Sequence, residues 1–286
     1  MRELNDRHVS AGPDILVGTA ELRERLQRPK PPIVLDVRWR LGDSEGRAHY
    51  REGHIPGAVY VDLEGELASP PSPTAGRHPL PTLAALQASA RRWGIRSGSA
   101  VVAYDDVGNL SAARVWWLLR WGGFADVRML DGGFAAWRAA GGAVETGVHE
   151  PEAGDVVLRA GNMPVLDSDA AAAVASDGVL LDARAAERYR GEVEPIDPRA
   201  GHIPGALSAP TTEHLRPDAT FVDSAELAER FRALGVAPAR ALGVYCGSGI
   251  TAAHEVAALA LAGFDAALYP GSWSQWCADP SRPIAP

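Results

Sequence analysis

The sequence predicts an α/β protein built from two copies of one domain, each a mainly parallel sheet with helices on both faces. Three observations support this fold class. Short apolar runs alternate with segments of helical spacing, the apolar runs are continuous, and the same motifs occur twice in one order. Strand-helix alternation is typical of parallel sheets, and continuous apolar runs are typical of strands buried on both faces. Ligands of such sheets bind at the carboxyl ends of the strands.

Each copy presents its candidate elements in the same order. The strand candidates are 33–35, 101–104, 180–181 and 242–245, and the helix candidates are 83–93, 112–121, 225–234 and 252–262. The last strand candidate of each copy ends in tyrosine and precedes a loop and a helical pattern. This arrangement predicts strand-loop-helix units at the edge where ligands bind.

Two motifs and the tyrosine-ended strand occur once in each half of the chain. Asp-x-Arg lies at 36–38 and 182–184, and Gly-His-Ile-Pro-Gly-Ala lies at 53–58 and 201–206. The preserved order indicates a tandem duplication.

The duplication predicts the domain boundaries. We expect an N-terminal domain over residues 1–147, a linker over 148–162 and a C-terminal domain over 163–286. The linker belongs to a stretch with several glycines and scattered charge, which is typical of a connection.

Composition restricts the class of protein. The chain has 286 residues, 46% hydrophobic and 22% charged, as in a soluble globular protein, and its two cysteines fit a reducing cytoplasm. Residues 1–8 lack the apolar core of a signal peptide, and no apolar run is long enough to span a membrane. A net charge of −8 disfavours nucleic acid as a partner.

Cys246 is the strongest candidate for chemistry. It follows the apolar run 242–245 and precedes a glycine-containing loop and a helical pattern that begins at Thr251. Loop N–H groups and a helix N-terminus both favour negative charge, so a cysteine placed there can become a thiolate nucleophile. The alternative is a buried structural cysteine that behaves as a small hydrophobe.

Three rival site types fail on the residues present. A cysteine phosphatase needs an arginine in the loop, and none occurs from Cys246 to Thr251. A dinucleotide site needs an acidic residue at the end of the next strand, but Asp265 precedes the apolar run 266–269. Metal-ligand spacing of His and Cys is missing. We therefore predict no metal and no cofactor.

The repeated motifs, together with the loop Cys-Gly-Ser-Gly-Ile-Thr at 246–251, resemble the two-domain rhodanese family of sulfurtransferases over nearly the whole chain. Within that family, the Cys-Gly-Ser-Gly loop is similar to that of 3-mercaptopyruvate sulfurtransferases. The resemblance implies tandem rhodanese-like domains of which one is active. Asp105 stands where the first copy would need a cysteine, and it cannot form a persulfide.

The resemblance implies a ping-pong sulfur transfer. Thiolate Cys246 takes a sulfur atom from a small anionic donor, 3-mercaptopyruvate, and holds it as a persulfide. The acceptor of this sulfur is a thiol, for example that of thioredoxin, or cyanide. Thiosulfate as the donor and a non-catalytic rhodanese-like binding module are the alternatives. The family also implies a monomer in the cytoplasm.

The substrate-binding residues follow from the same resemblance. Backbone N–H groups of the loop would stabilise the anion, and arginine can hold a carboxylate bidentately. The predicted set is Gly247, Ser248, Gly249, Ile250, Thr251, Arg188, Asp62 and His78. Ser248 and Thr251 would add hydroxyl groups, with helix capping as the alternative for Thr251. The second arginine typical of keto-acid enzymes is missing from its place, and Arg199 is the candidate to replace it. Arg77 would add positive charge to the cleft.

Four other residues carry a structural expectation. His54 and His202 occur in both copies, including the one without a cysteine, so we expect them to hold loops. His254 is expected to be a packing or surface residue, and Cys277 an inert thiol.

Overall fold

The computed structural model describes residues 14–43 and 45–286, which form two α/β units around two parallel sheets. Residues 1–8, for which we predict no signal peptide, lie outside the described residues. None of the helices in the described part of the chain has both the length and the apolar character needed to cross a membrane.

The N-terminal unit contains a five-stranded parallel sheet in the order β1-β5-β4-β2-β3. Its strands are β1 (Leu16–Val17), β2 (Ile33–Asp36), β3 (Val59–Tyr60), β4 (Val101–Tyr104) and β5 (Val127–Leu130). Its helices are α1 (Thr19–Leu26), α2 (Gly46–Glu52), α3 (Leu63–Glu66), α4 (Leu83–Arg92), α5 (Ala112–Trp121) and α6 (Gly133–Ala139).

The C-terminal unit repeats this plan with a four-stranded parallel sheet in the order β7-β6-β8-β9. Its strands are β6 (Val179–Asp182), β7 (Leu207–Ser208), β8 (Leu242–Tyr245) and β9 (Ala267–Leu268). Its helices are α7 (Ser168–Asp177), α8 (Ala186–Tyr189), α9 (Ser224–Ala233), α10 (Thr251–Leu261) and α11 (Ser272–Trp276), with a 3₁₀ helix over Thr211–His214.

Alternate residues of the central strands face two separate apolar layers. In β4, Val101 and Ala103 belong to one buried cluster, whereas Val102 and Tyr104 belong to another. Successive side chains of a strand point to opposite faces, so the sheet is covered on both sides. The predicted parallel sheet with helices on both faces is confirmed.

The Asp-x-Arg motif ties a strand end to the repeated glycine loop in each unit. The guanidinium of Arg184 makes a forked ion pair with Asp182, at 2.6 Å for the shortest contact, and donates to the carbonyl of Gly201 at 2.7 Å. Arg38 makes the same contacts in the first unit. These ion pairs thus have a structural role in both units.

The histidines of the repeated glycine loops are scaffold residues. His54 Nδ1 lies 2.8 Å from the carbonyl oxygen of Tyr50, on whose ring it stacks. His202 makes the matching contacts with Tyr189, at 2.9 Å. The expectation that both histidines hold loops is confirmed.

The two units meet where α5 packs on α10, and a side chain from each of these helices contacts the other unit. Arg114 of α5 donates to the carbonyl of Gly249 at 3.1 Å, and His254 of α10 lies 3.1 Å from the carbonyl oxygen of Gly108. Each helix thus contacts the strand-helix loop of the other unit. His254 is fully buried, so of the two expected placements packing is correct.

The segment between α6 and α7 is held against the N-terminal unit. Gly154 N–H donates to the carbonyl of Arg91, and Arg159 N–H donates to the carbonyl of Gly122. Val156 is buried against this unit. The linker bounds of 148 and 162 stay a prediction.

Candidate active site

Cys246 lies at the carboxyl end of β8, and α10 begins at Thr251. Its side chain is 2% exposed, and the amide of Gly249 donates to Sγ at 3.1 Å. The amide of Cys246 itself donates to the hydroxyl of Ser272 at 3.1 Å, which fixes the start of the loop. The sulfur therefore accepts from the Gly249 amide and lies near the N-terminus of α10, and both features favour an anion.

Glycine is required at two positions of this loop for different reasons. Gly249 has φ of +82°, and a Cβ there would lie 2.5 Å from the carbonyl oxygen of Pro270. A Cβ at Gly247 would lie 3.3 Å from a guanidinium nitrogen of Arg77 and 3.3 Å from one of Arg188. The first glycine lets the loop turn, and the second leaves room under the two arginines.

Ser248 and His78 connect the loop to the N-terminal unit. The ring nitrogen Nδ1 of His78 lies 2.8 Å from Ser248 Oγ, and both side chains are buried. Burial, with smaller contributions from the charges of Arg114 and Arg77, lowers the pKa of His78 to about 4. His78 is therefore neutral near pH 7 and can exchange a proton with the Ser248 hydroxyl.

Arg77 and Arg188 reach the loop from different units, and both are held by Asp197. Arg77 Nη1 lies 2.6 Å from Asp197 Oδ1, and Arg188 Nη2 lies 3.3 Å from Asp197 Oδ2. Arg188 is also paired with Glu194 at 2.6 Å. Arg77 thus brings positive charge to the loop.

Arg114 is a fully buried cation behind the loop. Its acceptors are the carbonyl oxygens of Leu67, His78, Pro79 and Gly249. Within the described ranges, no carboxylate lies at ion-pair distance from Arg114. Burial lowers its pKa to about 10, and the negative charge of Cys246 opposes that change.

Among the described residues, the side chains of Asp62 and Thr251 make no hydrogen bond to the other predicted site residues. Asp62 caps α3 by accepting from the amide of Gly65 at 3.2 Å, and it lines a groove of about 520 Å³ beside Trp39, whose ring contacts His78 edge-on. Thr251 is the first residue of α10, whose N-cap position belongs to Ile250 rather than to Thr251. Their roles in binding stay predictions.

The side chains of Ile250 and Arg199 make structural contacts instead of polar contacts with a ligand. The side chain of Ile250 belongs to the apolar core, so only its backbone can contact a ligand. Arg199 donates to the carbonyl oxygens of Trp276, Cys277 and Asp279, which anchors the C-terminal segment. The guanidinium of Arg199 therefore has a structural role.

Cys277 is a second free thiol, and it is buried. Burial, assisted by the charge of Asp197, raises the pKa of its thiol to about 11. A thiol that stays protonated is a poor nucleophile, in agreement with the expectation of an inert residue. In the part of the chain that the structure describes, no three His, Cys, Asp or Glu side chains are grouped to hold a metal ion.

The comparison with protein families decides where this architecture belongs. The profile of the Rhodanese-like domain matches residues 18–140 and again residues 167–279. The chain belongs to the rhodanese family. The predicted family and the tandem rhodanese-like domains are confirmed.

Relatives within the rhodanese family align over most of the chain. A Mycobacterium tuberculosis protein named "Putative thiosulfate sulfurtransferase SseB" is 49% identical over 276 residues, covering 94% of this chain and 96% of the relative. A Pseudomonas aeruginosa protein named "Probable 3-mercaptopyruvate sulfurtransferase" is 47% identical, with coverage of 94% and 97%. The solved structure of SseA from Escherichia coli, described as a 3-mercaptopyruvate sulfotransferase, superposes with a TM-score of 0.80 at 33% identity and covers 91% and 99% of the two chains.

The N-terminal rhodanese domain has an anion built into its loop. The carboxylate of Asp105, at the position of Cys246, accepts hydrogen bonds from four backbone amides at 2.7 to 3.0 Å, those of Val107, Asn109, Ser111 and Ala112. Burial raises the pKa of Asp105, and these four hydrogen bonds oppose the rise. The loop after this strand therefore directs its N–H groups at a negative charge, as predicted for its counterpart.

Three residues of the rhodanese site were not predicted from the sequence. Arg114 and Asp197 come to the site through contacts between units, and Ser272 is the first residue of α11. The available signal was Arg114 itself, a cation within the otherwise apolar face of α5.

Proposed function

We propose that this protein is a sulfurtransferase that moves a sulfur atom from 3-mercaptopyruvate to an acceptor through a persulfide on Cys246. The observation that carries the proposal is the Cys246 thiol beside the Gly249 amide, in a loop that contains Ser248 and lies against His78 and two arginines. This arrangement combines a nucleophile, a proton-exchanging pair and a site for a carboxylate.

In the first half-reaction, the Cys246 thiolate attacks the sulfur of 3-mercaptopyruvate. A sulfur-sulfur bond forms, the carbon-sulfur bond breaks, and its electron pair leaves on the enolate of pyruvate. The enolate takes up one proton and departs as pyruvate. Ser248, hydrogen-bonded to neutral His78, is placed to handle this proton. No oxidant is needed, because the carbon that loses sulfur keeps the bonding electrons.

In the second half-reaction, an acceptor thiolate or cyanide attacks the outer sulfur of the persulfide. The sulfur-sulfur bond breaks, and Cys246 leaves as a thiolate, ready for another donor. The loop amides stabilise the anion in both states, and the Asp105 loop is an internal example of how such amides surround a charge.

The choice of donor rests on the arginines. Each of Arg77 and Arg188 keeps one guanidinium nitrogen above Gly247, and a carboxylate can bridge two such donors. Thiosulfate is the second candidate, because the Mycobacterium tuberculosis relative carries that donor in its name.

We further propose a thiol acceptor, thioredoxin among them, or cyanide, and a monomer that acts in a reducing cytoplasm. Two free buried thiols fit a reducing compartment.

Mass spectrometry after incubation with donor tests the proposal. The peptide that contains Cys246 should gain one sulfur atom, release it to cyanide as thiocyanate, and gain none in Cys246→Ser. No added sulfur with either donor would favour a non-catalytic binding module. Separate kcat/KM values decide the donor, and a larger value for thiosulfate would establish the second candidate.

A further inference from the structure

Asp197 joins the two units directly above the active loop. Its two carboxylate oxygens bind different arginines, at 2.6 Å to Arg77 of the N-terminal unit and 3.3 Å to Arg188 of the C-terminal unit. The Asp197 side chain is only 4% exposed, so water screens these ion pairs weakly.

Glu194 fixes Asp197 in this position. Its Oε1 accepts from the amides of Ile196 and Asp197, at 3.2 and 3.1 Å, and binds Arg188 at 2.6 Å. Its other oxygen lies 3.4 Å from Arg184. The turn that presents Asp197 is therefore held by backbone and charge contacts together.

Each arginine has one terminal nitrogen left for a ligand. Arg77 Nη2 and Arg188 Nη1 are the nitrogens nearest to the Cβ position of Gly247, and neither has an acceptor among residues 14–43 and 45–286. Arg77 Nε is buried without a partner. Two donors from different units thus converge beside Cys246.

The acidic residues cancel the positive charge of this group before any donor arrives. The cations are Arg77, Arg184 and Arg188, and the anions are Asp182, Glu194 and Asp197. Three positive and three negative charges leave no excess. A monoanionic donor can still use the two free nitrogens, whereas a dianion brings a second charge that these six side chains do not balance.

We propose that Asp197 is a specificity-determining residue, which holds Arg77 and Arg188 over Gly247 while cancelling one positive charge, so that the site favours a monoanionic keto-acid donor over dianionic thiosulfate. This inference rests on the proposed sulfurtransferase function. It assigns donor discrimination to a residue that does not touch the reacting sulfur.

The test compares the ratio of kcat/KM for thiosulfate to kcat/KM for 3-mercaptopyruvate in wild type and Asp197→Asn. The variant keeps the size of the side chain and one acceptor oxygen but removes the charge. We expect the ratio to rise about tenfold, because one unit charge at this distance changes the binding of a dianion more than that of a monoanion. A general loss of structure would lower both constants and leave the ratio unchanged.

Two further variants complete the test. The control Asp177→Asn changes an exposed residue at the end of α7, just before β6, and alters the net charge by the same amount. It should leave the ratio at the wild-type value. Arg77→Gln removes a cation and should lower the ratio, which decides the matter if Asp197→Asn does not fold. An unchanged ratio in the folded variants overturns the inference. Failure of wild type to form a persulfide with either donor would instead overturn the proposed function.

Discussion

Arg114 of the N-terminal domain donates a hydrogen bond to the carbonyl of Gly249 in the active loop, at 3.1 Å and entirely out of contact with solvent. All its hydrogen-bond acceptors are uncharged carbonyl groups. A buried cation that has no carboxylate partner within residues 14–43 and 45–286 stabilises an anion that forms nearby, and a thiolate at Cys246 is such an anion. The domain that lacks a catalytic cysteine thus contributes charge to the site of the other domain.

Replacing Arg114 by Met should slow the reaction of Cys246 as a nucleophile. Met has a similar length and no charge, so the loop loses both the hydrogen bond and the cation. We expect alkylation of Cys246 by iodoacetamide at pH 7 to slow by about tenfold. Arg114→Lys, which keeps the charge, should restore part of the rate. Equal rates in Met and Lys variants would show that charge is not the relevant property.

Removing the Ser248 hydroxyl should slow the first half-reaction. Ser248→Ala breaks the hydrogen bond to His78 and leaves the enolate without its nearby proton source. We expect kcat/KM for 3-mercaptopyruvate to fall by about a hundredfold, the usual range for loss of general acid-base help. Single-turnover release of pyruvate measures the step. Ser176→Ala, at an exposed position, should match wild type, and a Ser248→Ala enzyme as fast as wild type would remove Ser248 from the mechanism.

The sequence predicts the repeat and the Cys246 loop because both depend on short-range patterns. Strand, loop and helix follow one another in the chain, so the order of apolar and glycine residues is enough to place the thiol. Arg188 was accessible through the family motif.

Contacts between domains could not be predicted in the same way. Arg114 and Asp197 meet the site only because α5 packs on α10 and the turn at 194–197 folds over Gly247. No local pattern encodes that geometry. Arg199 shows the converse, since its place in the sequence suggested a ligand contact while its guanidinium holds the C-terminal carbonyl groups.

Removing the Asp105 carboxylate should destabilise the fold without removing the reactive cysteine. Four backbone amides depend on this carboxylate, and hydrogen bonds to a charged group each contribute more than neutral ones. We expect Asp105→Ala to lower the free energy of unfolding in urea by about 3 kcal/mol. Folded Asp105→Ala should still form a persulfide on Cys246.

Asp126→Ala is the matched control, because Asp126 is exposed in the loop before β5. Its free energy of unfolding should stay within about 0.5 kcal/mol of wild type. An Asp105→Ala protein as stable as this control would mean that water replaces the carboxylate as the acceptor for those four amides.

The buried imidazole of His254 should make the protein less stable in acid. Burial, followed by the nearby charge of His214, lowers the pKa of His254 from 6.5 to about 3, while a bond to the carbonyl of Gly108 opposes the change. The ring is neutral, with Nε2–H donating to Gly108 and Nδ1 accepting from Thr211 at 2.7 Å. The unfolded chain takes up a proton below about pH 6.5 and the folded protein does not.

This contribution to stability is complete above pH 6.5 and is lost progressively as the pH falls toward 3. At pH 5, the loss from His254 should reach about 2 kcal/mol, because each pH unit below 6.5 costs about 1.4 kcal/mol. Urea unfolding of wild type and His254→Gln at pH 7.5 and pH 5 measures it, since glutamine can donate and accept without titrating. The His254→Gln variant should lose less stability than wild type between the two pH values. The control His49→Gln, which keeps the buried imidazole of His254, should lose as much stability as wild type. Equal losses in wild type and His254→Gln would assign the acid sensitivity to other groups, such as His78, whose pKa is lowered in the same direction.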